Sequence, residues 1–85
     1  METKNAIAAL TALGHATRLA AFRLLVEAGP AGRMAGDIGQ ALEVPGATLS
    51  FHLKELVHAG LVESESQGRH VCYRANFQAM NGLIQ

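Results

Sequence analysis

The residues whose types and spacing are best suited to binding lie in one short stretch, ATLSFHLKELVHAGLV, which covers residues 47–62. Its apolar residues recur at i, i+4, i+7 and i+8, the spacing of a buried stripe on a helix. These residues are Leu49, Leu53, Leu56 and Val57. The side away from the stripe carries hydroxyl, aromatic and charged groups: Thr48, Ser50, Phe51, His52, Lys54 and Glu55. Hydroxyls can bond base edges or phosphate, an exposed phenylalanine can touch a thymine methyl group, and a lysine suits phosphate.

Several residues on or near this face could have a structural or solvent-exposed role instead of a binding role. The whole polar face could simply be solvated, and His52 could be a packed or capping histidine. We expect His58, outside the first half of the helix, to be plain surface. Arg18, near the start of an earlier helix, is open between a structural role and a phosphate contact, and we favour the structural one.

After Gly60 the hydrophobic period changes from helical to alternating. The runs LVESES and RHVCYRA alternate, and a glycine-containing turn separates them, which predicts a β-hairpin. At its tip, Gln67, Arg69 and His70 are candidates for contact with phosphate or the minor groove; the alternative is an ordinary polar turn. Glu63 and Glu65 are expected to face away from a nucleic acid.

Helical periodicity and glycine or proline stops define the elements around this stretch. We predict helices over residues 4–13, 16–28, 34–42 and 46–59, then the hairpin, then a short helix from Phe77. In the first helix Ala6, Ile7, Leu10 and Leu13 share an apolar face, and Gly14 suits a left-handed end. A short helix, a tight turn, a longer helix and a hairpin predict a mainly α fold with a β-hairpin wing, the winged helix-turn-helix. In this motif the N-terminal half of the second helix enters the major groove. We therefore predict that five residues of this helix contact DNA: Thr48, Ser50, Phe51, His52 and Lys54.

Composition narrows the class of protein. The 85 residues predict one domain (1–85), and their formal net charge of zero weighs mildly against nucleic acid. No carboxylate occurs after Glu65, however, so the wing region is locally basic. A single cysteine, no signal peptide and no long apolar run predict a cytoplasmic location without a membrane span. No catalytic constellation or phosphate loop occurs, so we expect no enzyme.

The sequence resembles a known family over residues 5–78. TLSFHLKELVHAGLV followed by GRHVCYRA resembles the recognition helix and wing of ArsR/SmtB-type repressors, whose pattern is roughly S-x-H-L-x-x-L-x-x-A-G-L-V and then G-R-x-x-x-Y. LGHATRLAAFRLL resembles the family's second helix with its T-R-L signature. The resemblance implies a homodimer, joined through its first and last helices, that represses transcription from a palindromic operator. It also implies release by an inducer, usually a metal ion or metalloid.

The inducer sites of that family do not map onto these residues. Met34 and Gly36 stand where arsenic-sensing relatives have two cysteines, and residues 76–85 lack the ligands of zinc-sensing relatives. Cys72 alone is a minor candidate and is expected to be a small buried residue. No cofactor is therefore expected within the chain. We favour As(III) or Sb(III) as inducer through cysteines beyond residue 85, with the chain truncated there or its last helix completed by a partner.

Two alternatives stay open from the sequence. One is a regulator of the same family with a non-metal effector. The other is a winged helix that binds another protein, which the zero net charge would suit.

Overall fold

The computed structural model describes residues 2–84, and Gln85, after which truncation is expected, lies outside them. Five α-helices span Thr3–Leu13 (α1), Ala16–Ala28 (α2), Ala35–Leu42 (α3), Gly46–His58 (α4) and Phe77–Ile84 (α5). A 3₁₀ turn covers Gly29–Ala31, and three strands cover Arg33–Met34 (β1), Val62–Gln67 (β2) and His70–Ala75 (β3). The winged helix-turn-helix expected from the sequence is confirmed, with helix bounds within a residue or two of those predicted.

The sheet has one strand more than the predicted hairpin. Its order is β1-β3-β2, and both pairs are antiparallel, so β3 is the central strand. The predicted bounds leave Arg33 outside any element and place Met34 in a helix, because a two-residue strand is too short to show any period. Gly32 makes the pairing feasible: its φ is +70°, and a Cβ there would collide with the carbonyl oxygen of Tyr73.

The end of α4 is a Schellman motif. Gly60 has φ +78°, its N–H donates to the carbonyl of Val57, and the N–H of Leu61 donates to the carbonyl of Leu56. Leu56 and Leu61 are both fully buried, which gives the apolar contact that accompanies this motif. Gly14 differs from expectation. Its φ of −76° is not left-handed, because a simple bond from its N–H to Thr11 closes α1.

The core lies between α2, α3, α4 and the sheet, with α1 laid across α2 and α4. Its largest fully buried side chains are Leu25, Ile38, Leu49, Leu53, Leu56, Leu61 and Val62. From α1 only Ala9 and Ala12 enter the core, whereas Ile7 and Leu10 on its apolar face are 60% and 59% exposed. None of the helices among residues 2–84 has the length and apolarity of a membrane span.

Candidate nucleic-acid interface

The turn between α3 and α4 sets the angle at which α4 leaves the core. Glu43 ends α3 in a left-handed conformation with φ 56°, and the N–H of Val44 donates to the carbonyl of Gly39 at 3.0 Å. Pro45 then fixes its own φ and precedes the first residue of α4. Since α3 and α4 both pack on the core through Ile38 and Leu49, α4 presents its opposite side to solvent.

That side of α4 carries four of the five residues predicted to read DNA. Thr48, Ser50, Phe51 and Lys54 are all exposed, and the Phe51 ring retains 58% of its accessible surface. We call these four residues the α4 front. The exposed Phe51 ring is free to contact a ligand on this side, as a phenylalanine can contact a thymine methyl group.

The N-terminal end of α4 adds donors to this front. No side chain caps the helix, so the N–H groups of its first turn lack a protein partner. Together with the helix dipole they form a positively polarised end, which favours an anion such as phosphate.

His52, the fifth predicted reader, is not on the front. It is only 7% exposed and is the one buried polar residue among residues 2–84. The physical reason is its spacing: with Leu49, Leu53 and Leu56 it completes the i, i+3, i+4, i+7 pattern of the buried face. Its expected exposure is therefore wrong, and the alternative of a packed histidine agrees with the structure.

Buried His52 connects α2 to the α4 front. Its ring lies 4.4 Å from the ring of His15 and 5.4 Å from that of Phe51, the latter in an edge-to-face arrangement. His15 in turn caps α2, because its Nδ1 accepts a hydrogen bond from the N–H of Thr17 at 3.1 Å. A histidine is an unusual cap, so this cluster escaped the sequence analysis, although the buried spacing of His52 was a readable signal.

A second polar link joins the same two helices. The Nη1 of Arg18 lies 3.9 Å from Oε2 of Glu55, and the Arg18 side chain is 17% exposed. Its Nε is buried without a hydrogen-bond partner. This agrees with the structural role favoured for Arg18.

The wing is the β2–β3 hairpin, and its tip carries the other predicted contacts. Gln67 pairs with His70 across a two-residue turn of Gly68 and Arg69, and Gln67, Arg69 and His70 are all exposed. Gly68 supplies the positive φ of 65° that the turn requires. Nearer the core, Nη2 of Arg74 donates to Glu65 at 2.8 Å, and this hydrogen bond lowers the pKa of the Glu65 carboxyl. Because the pair is exposed, it neutralises charge more than it stabilises the fold.

Metal ligands are sparse in the described part of the chain. No group of three or more His, Cys, Asp or Glu side chains is arranged for a metal ion among residues 2–84. Cys72 is 4% exposed on the central strand, as expected, and its Sγ lies 3.6 Å from the carbonyl oxygen of Ala31.

Known proteins are similar to this chain in sequence and in fold. The family model of the helix-turn-helix domain matches residues 13–65, more than half of the chain. The arsenical resistance operon repressor of Bacillus subtilis (strain 168) is 38% identical over 48 residues, which are 56% of this chain and 46% of that protein. The chain thus spans about half the length of this relative.

Two solved structures superpose on nearly the whole chain. An ArsR-like transcriptional regulator from Rhodococcus sp. RHA1 is 31% identical with a TM-score of 0.77, covering 95% of this chain and 74% of that one. HlyU from Vibrio cholerae N16961 is 27% identical with a TM-score of 0.79, covering 99% and 94%. The helix-turn-helix and the wing lie within the parts that superpose, and the relatives described by function are transcriptional regulators. The chain belongs to the ArsR family of winged helix-turn-helix transcriptional regulators.

Proposed function

We propose that this chain is a transcriptional repressor in the cytoplasm that binds a palindromic operator through the α4 front and the wing tip. The observation that carries the proposal is the exposure of Phe51 beside Thr48, Ser50 and Lys54 on the second helix of a helix-turn-helix. In this motif the N-terminal half of the second helix enters the major groove. Phe51 would contact thymine methyl groups, the hydroxyls would bond base edges, and Lys54 would bind phosphate.

The wing tip and the N-terminal end of α4 would add contacts with the DNA backbone. Arg69 and His70 project at the turn of the hairpin, and Gln67 lies beside them. Phosphate contacts fix the register of a protein on the duplex without reading its sequence. A chain with zero net charge depends on such local groups, because its overall field contributes little to the encounter.

A homodimer joined through α1 and α5 is the second part of the proposal. Ile7 and Leu10 are exposed apolar residues on α1, and Leu13, about one turn after Leu10, lines a groove between α1, α2 and α5. The groove is lined by Leu13, Leu19, Phe22, Val26 and Met80, with Arg23 and Glu27 at its rim. A two-fold axis here would set two α4 helices toward half-sites about one helical turn apart.

The inducer we propose is a thiophilic metalloid such as As(III) or Sb(III), in line with the name of the Bacillus subtilis relative. Such an ion takes two or three thiolates as ligands. Residues 1–85 hold the single thiol of Cys72, which is buried, so the ligands would come from outside these residues. Replacing Cys72 with serine should then leave any response to As(III) intact.

Fluorescence anisotropy of the chain on DNA from upstream of its own gene tests the proposal. Binding should prefer that DNA over a scrambled duplex and should weaken steeply with salt, because phosphate contacts release counterions. Adding As(III) to the full-length protein should release the DNA; binding that As(III) leaves unchanged would favour a non-metal effector. A confirmed dimer that binds neither duplex would favour a protein-interaction module instead.

A further inference from the structure

We propose that His52 is a positioning residue for DNA recognition: its neutral imidazole, packed between His15 and Phe51, holds the exposed Phe51 ring in its DNA-contacting orientation, and protonation of His52 releases that ring. The inference rests on the proposed DNA-binding function. It makes operator binding sensitive to acid through one named side chain.

Geometry supports the positioning role. Phe51 has few neighbours, since more than half of its surface is exposed, and the edge-to-face contact with His52 at 5.4 Å is its aromatic support. His52 is itself held by the His15 ring at 4.4 Å, and His15 is fixed by its bond from Thr17 at the start of α2. The stack therefore runs from the exposed start of α2, whose later turns pack on the core, to the residue expected to touch bases.

The environment of His52 favours the neutral ring over the protonated one. Its Nδ1 is buried and has no hydrogen-bond partner. The imidazolium carries an N–H on both nitrogens, so protonation would leave a buried charged ring with an unpaired donor. Movement of the ring toward water would relieve this, and Phe51 would lose its support.

The charges around His52 act mostly in the same direction. Within residues 2–84 the titratable groups that affect it are His15 and Arg18 on the α2 side and Glu55 on α4. Burial lowers the pKa of His52 most, His15 and Arg18 lower it further, and Glu55 partly opposes them. A lowered pKa means that the folded protein favours the uncharged form of His52. Correct positioning is complete above the ordinary histidine value of about 6.5 and is lost as the pH falls below it.

The predicted loss of operator affinity in acid is opposite to the change that added positive charge on the protein surface would cause. Protonation of exposed histidines such as His70 or His58 adds positive charge, which strengthens binding to phosphate. Acid weakening of specific binding therefore requires a different group. Among the described histidines, His52 is the one whose ring contacts Phe51, and His15 reaches the front only through His52.

The experiment is a pH series of operator affinity, from about pH 8 to about pH 5, on the full chain and its variants. Wild type should bind the operator progressively less well in acid, by up to about tenfold per pH unit, whereas non-specific binding should not weaken. His52→Phe keeps an aromatic ring that cannot titrate, so its operator affinity should stay at its own neutral-pH value when the pH falls. His70→Gln and His58→Gln are the matched controls, and both should keep the acid loss.

Each outcome decides between positioning and its rivals. If His52→Phe remains folded and still loses operator affinity in acid as wild type does, another group is responsible and the proposal is overturned. Wild-type affinity that is flat or rises in acid overturns it as well. Loss of the far-UV circular dichroism signal over the same pH range would make the effect global unfolding, with the same consequence. No operator binding by wild type at neutral pH would instead defeat the proposed function.

Two measurements do not depend on the folding of His52→Phe. Titration of the histidine ring signals by NMR in wild type should give His52 a pKa below its ordinary value; a value at or above it contradicts the inference. A double-mutant cycle of His52→Ala and Phe51→Ala should be non-additive, each single variant losing about fivefold in specific affinity and the pair losing little more. Additive losses would mean that the two rings act independently.

Discussion

At the residue scale, the α4 front divides into groups that read sequence and groups that supply charge. Phe51 and Ser50 can discriminate between bases, whereas Lys54 is a flexible point charge that binds any phosphate. Specificity and affinity are therefore separable by single substitutions in one helix.

Phe51→Ala should reduce affinity for the operator by about 1 kcal/mol or more, because the contact with thymine methyl groups is lost. Affinity for a scrambled duplex should change little. Lys54→Ala is the comparison: it should weaken binding to both duplexes similarly and reduce the salt slope by about one. Anisotropy on the two duplexes checks both. Equal losses for Phe51→Ala on both duplexes would remove Phe51 from the readers.

Glu55 is expected to affect the pH at which His52 becomes protonated. Because the Glu55 carboxylate raises the pKa of His52, Glu55→Gln should lower that pKa further. The acid loss of operator binding should then move to lower pH. Glu63→Gln removes a carboxylate on β2 and should leave the pH profile where it is. A shift toward higher pH in Glu55→Gln would contradict the assigned charges.

At the element scale, the tight contact between α3 and α4 fixes the reading helix. A Cβ at Gly39 would lie 3.2 Å from the carbonyl oxygen of Val44 and 3.3 Å from Cδ2 of Leu49. Gly36, three residues earlier on the same helix, has open space instead. The space available for a side chain thus differs between these two glycines of the eight-residue helix.

Gly36→Ala should raise the free energy of unfolding by about 0.5–1 kcal/mol, because alanine restricts the unfolded chain and favours helix. Gly39→Ala should be less stable than Gly36→Ala by about 1 kcal/mol or more, since the Val44 carbonyl cannot retreat without moving the turn. Urea denaturation followed by circular dichroism measures both. Equal stabilities would show that α3 can shift freely against α4.

The wing is an element whose contribution should be unspecific. Arg69→Ala should weaken binding to the operator and to a scrambled duplex by similar factors, because a phosphate contact carries no sequence information. Arg69→Lys keeps the charge and should retain most of the affinity. Selective loss of sequence preference in Arg69→Ala would assign Arg69 to base readout in the minor groove instead.

At the scale of the whole molecule, the surface of α1 is the feature that a single chain leaves unexplained. Ile7 and Leu10 are large apolar residues with more than half of their surface exposed, next to the groove that includes Leu13 and Met80. A small domain has little core to spare, so burial of this face against a second copy would add substantially to its stability.

If the proposed dimer forms through α1, Leu10→Glu should make the protein monomeric, because it introduces a charge into an apolar interface. Operator affinity should fall by roughly tenfold or more, since both half-sites can no longer be held together. Sedimentation velocity and anisotropy measure the two effects. Asn5→Glu, exposed on the same helix about 200° away from Ile7, is the control and should leave the dimer intact. A Leu10→Glu protein that stays dimeric would remove α1 from the interface.

The sequence by itself determined the features that depend on local physics. Helix bounds follow from the 3.6-residue period and from glycine and proline stops, and the hairpin follows from alternation around Gly68. The exposed identity of Thr48, Ser50, Phe51 and Lys54 was also readable, because these residues lie off the leucine stripe of α4. Only the tertiary structure decided matters that depend on which surfaces meet. It added β1 to the sheet, since pairing across 38 residues leaves no local period. It turned Ile7 and Leu10 outward, because α1 meets the core through the small side chains of Ala9 and Ala12. And it placed the His52 ring between those of His15 and Phe51, because the packing of α2 on α4 brings the start of α2 next to His52.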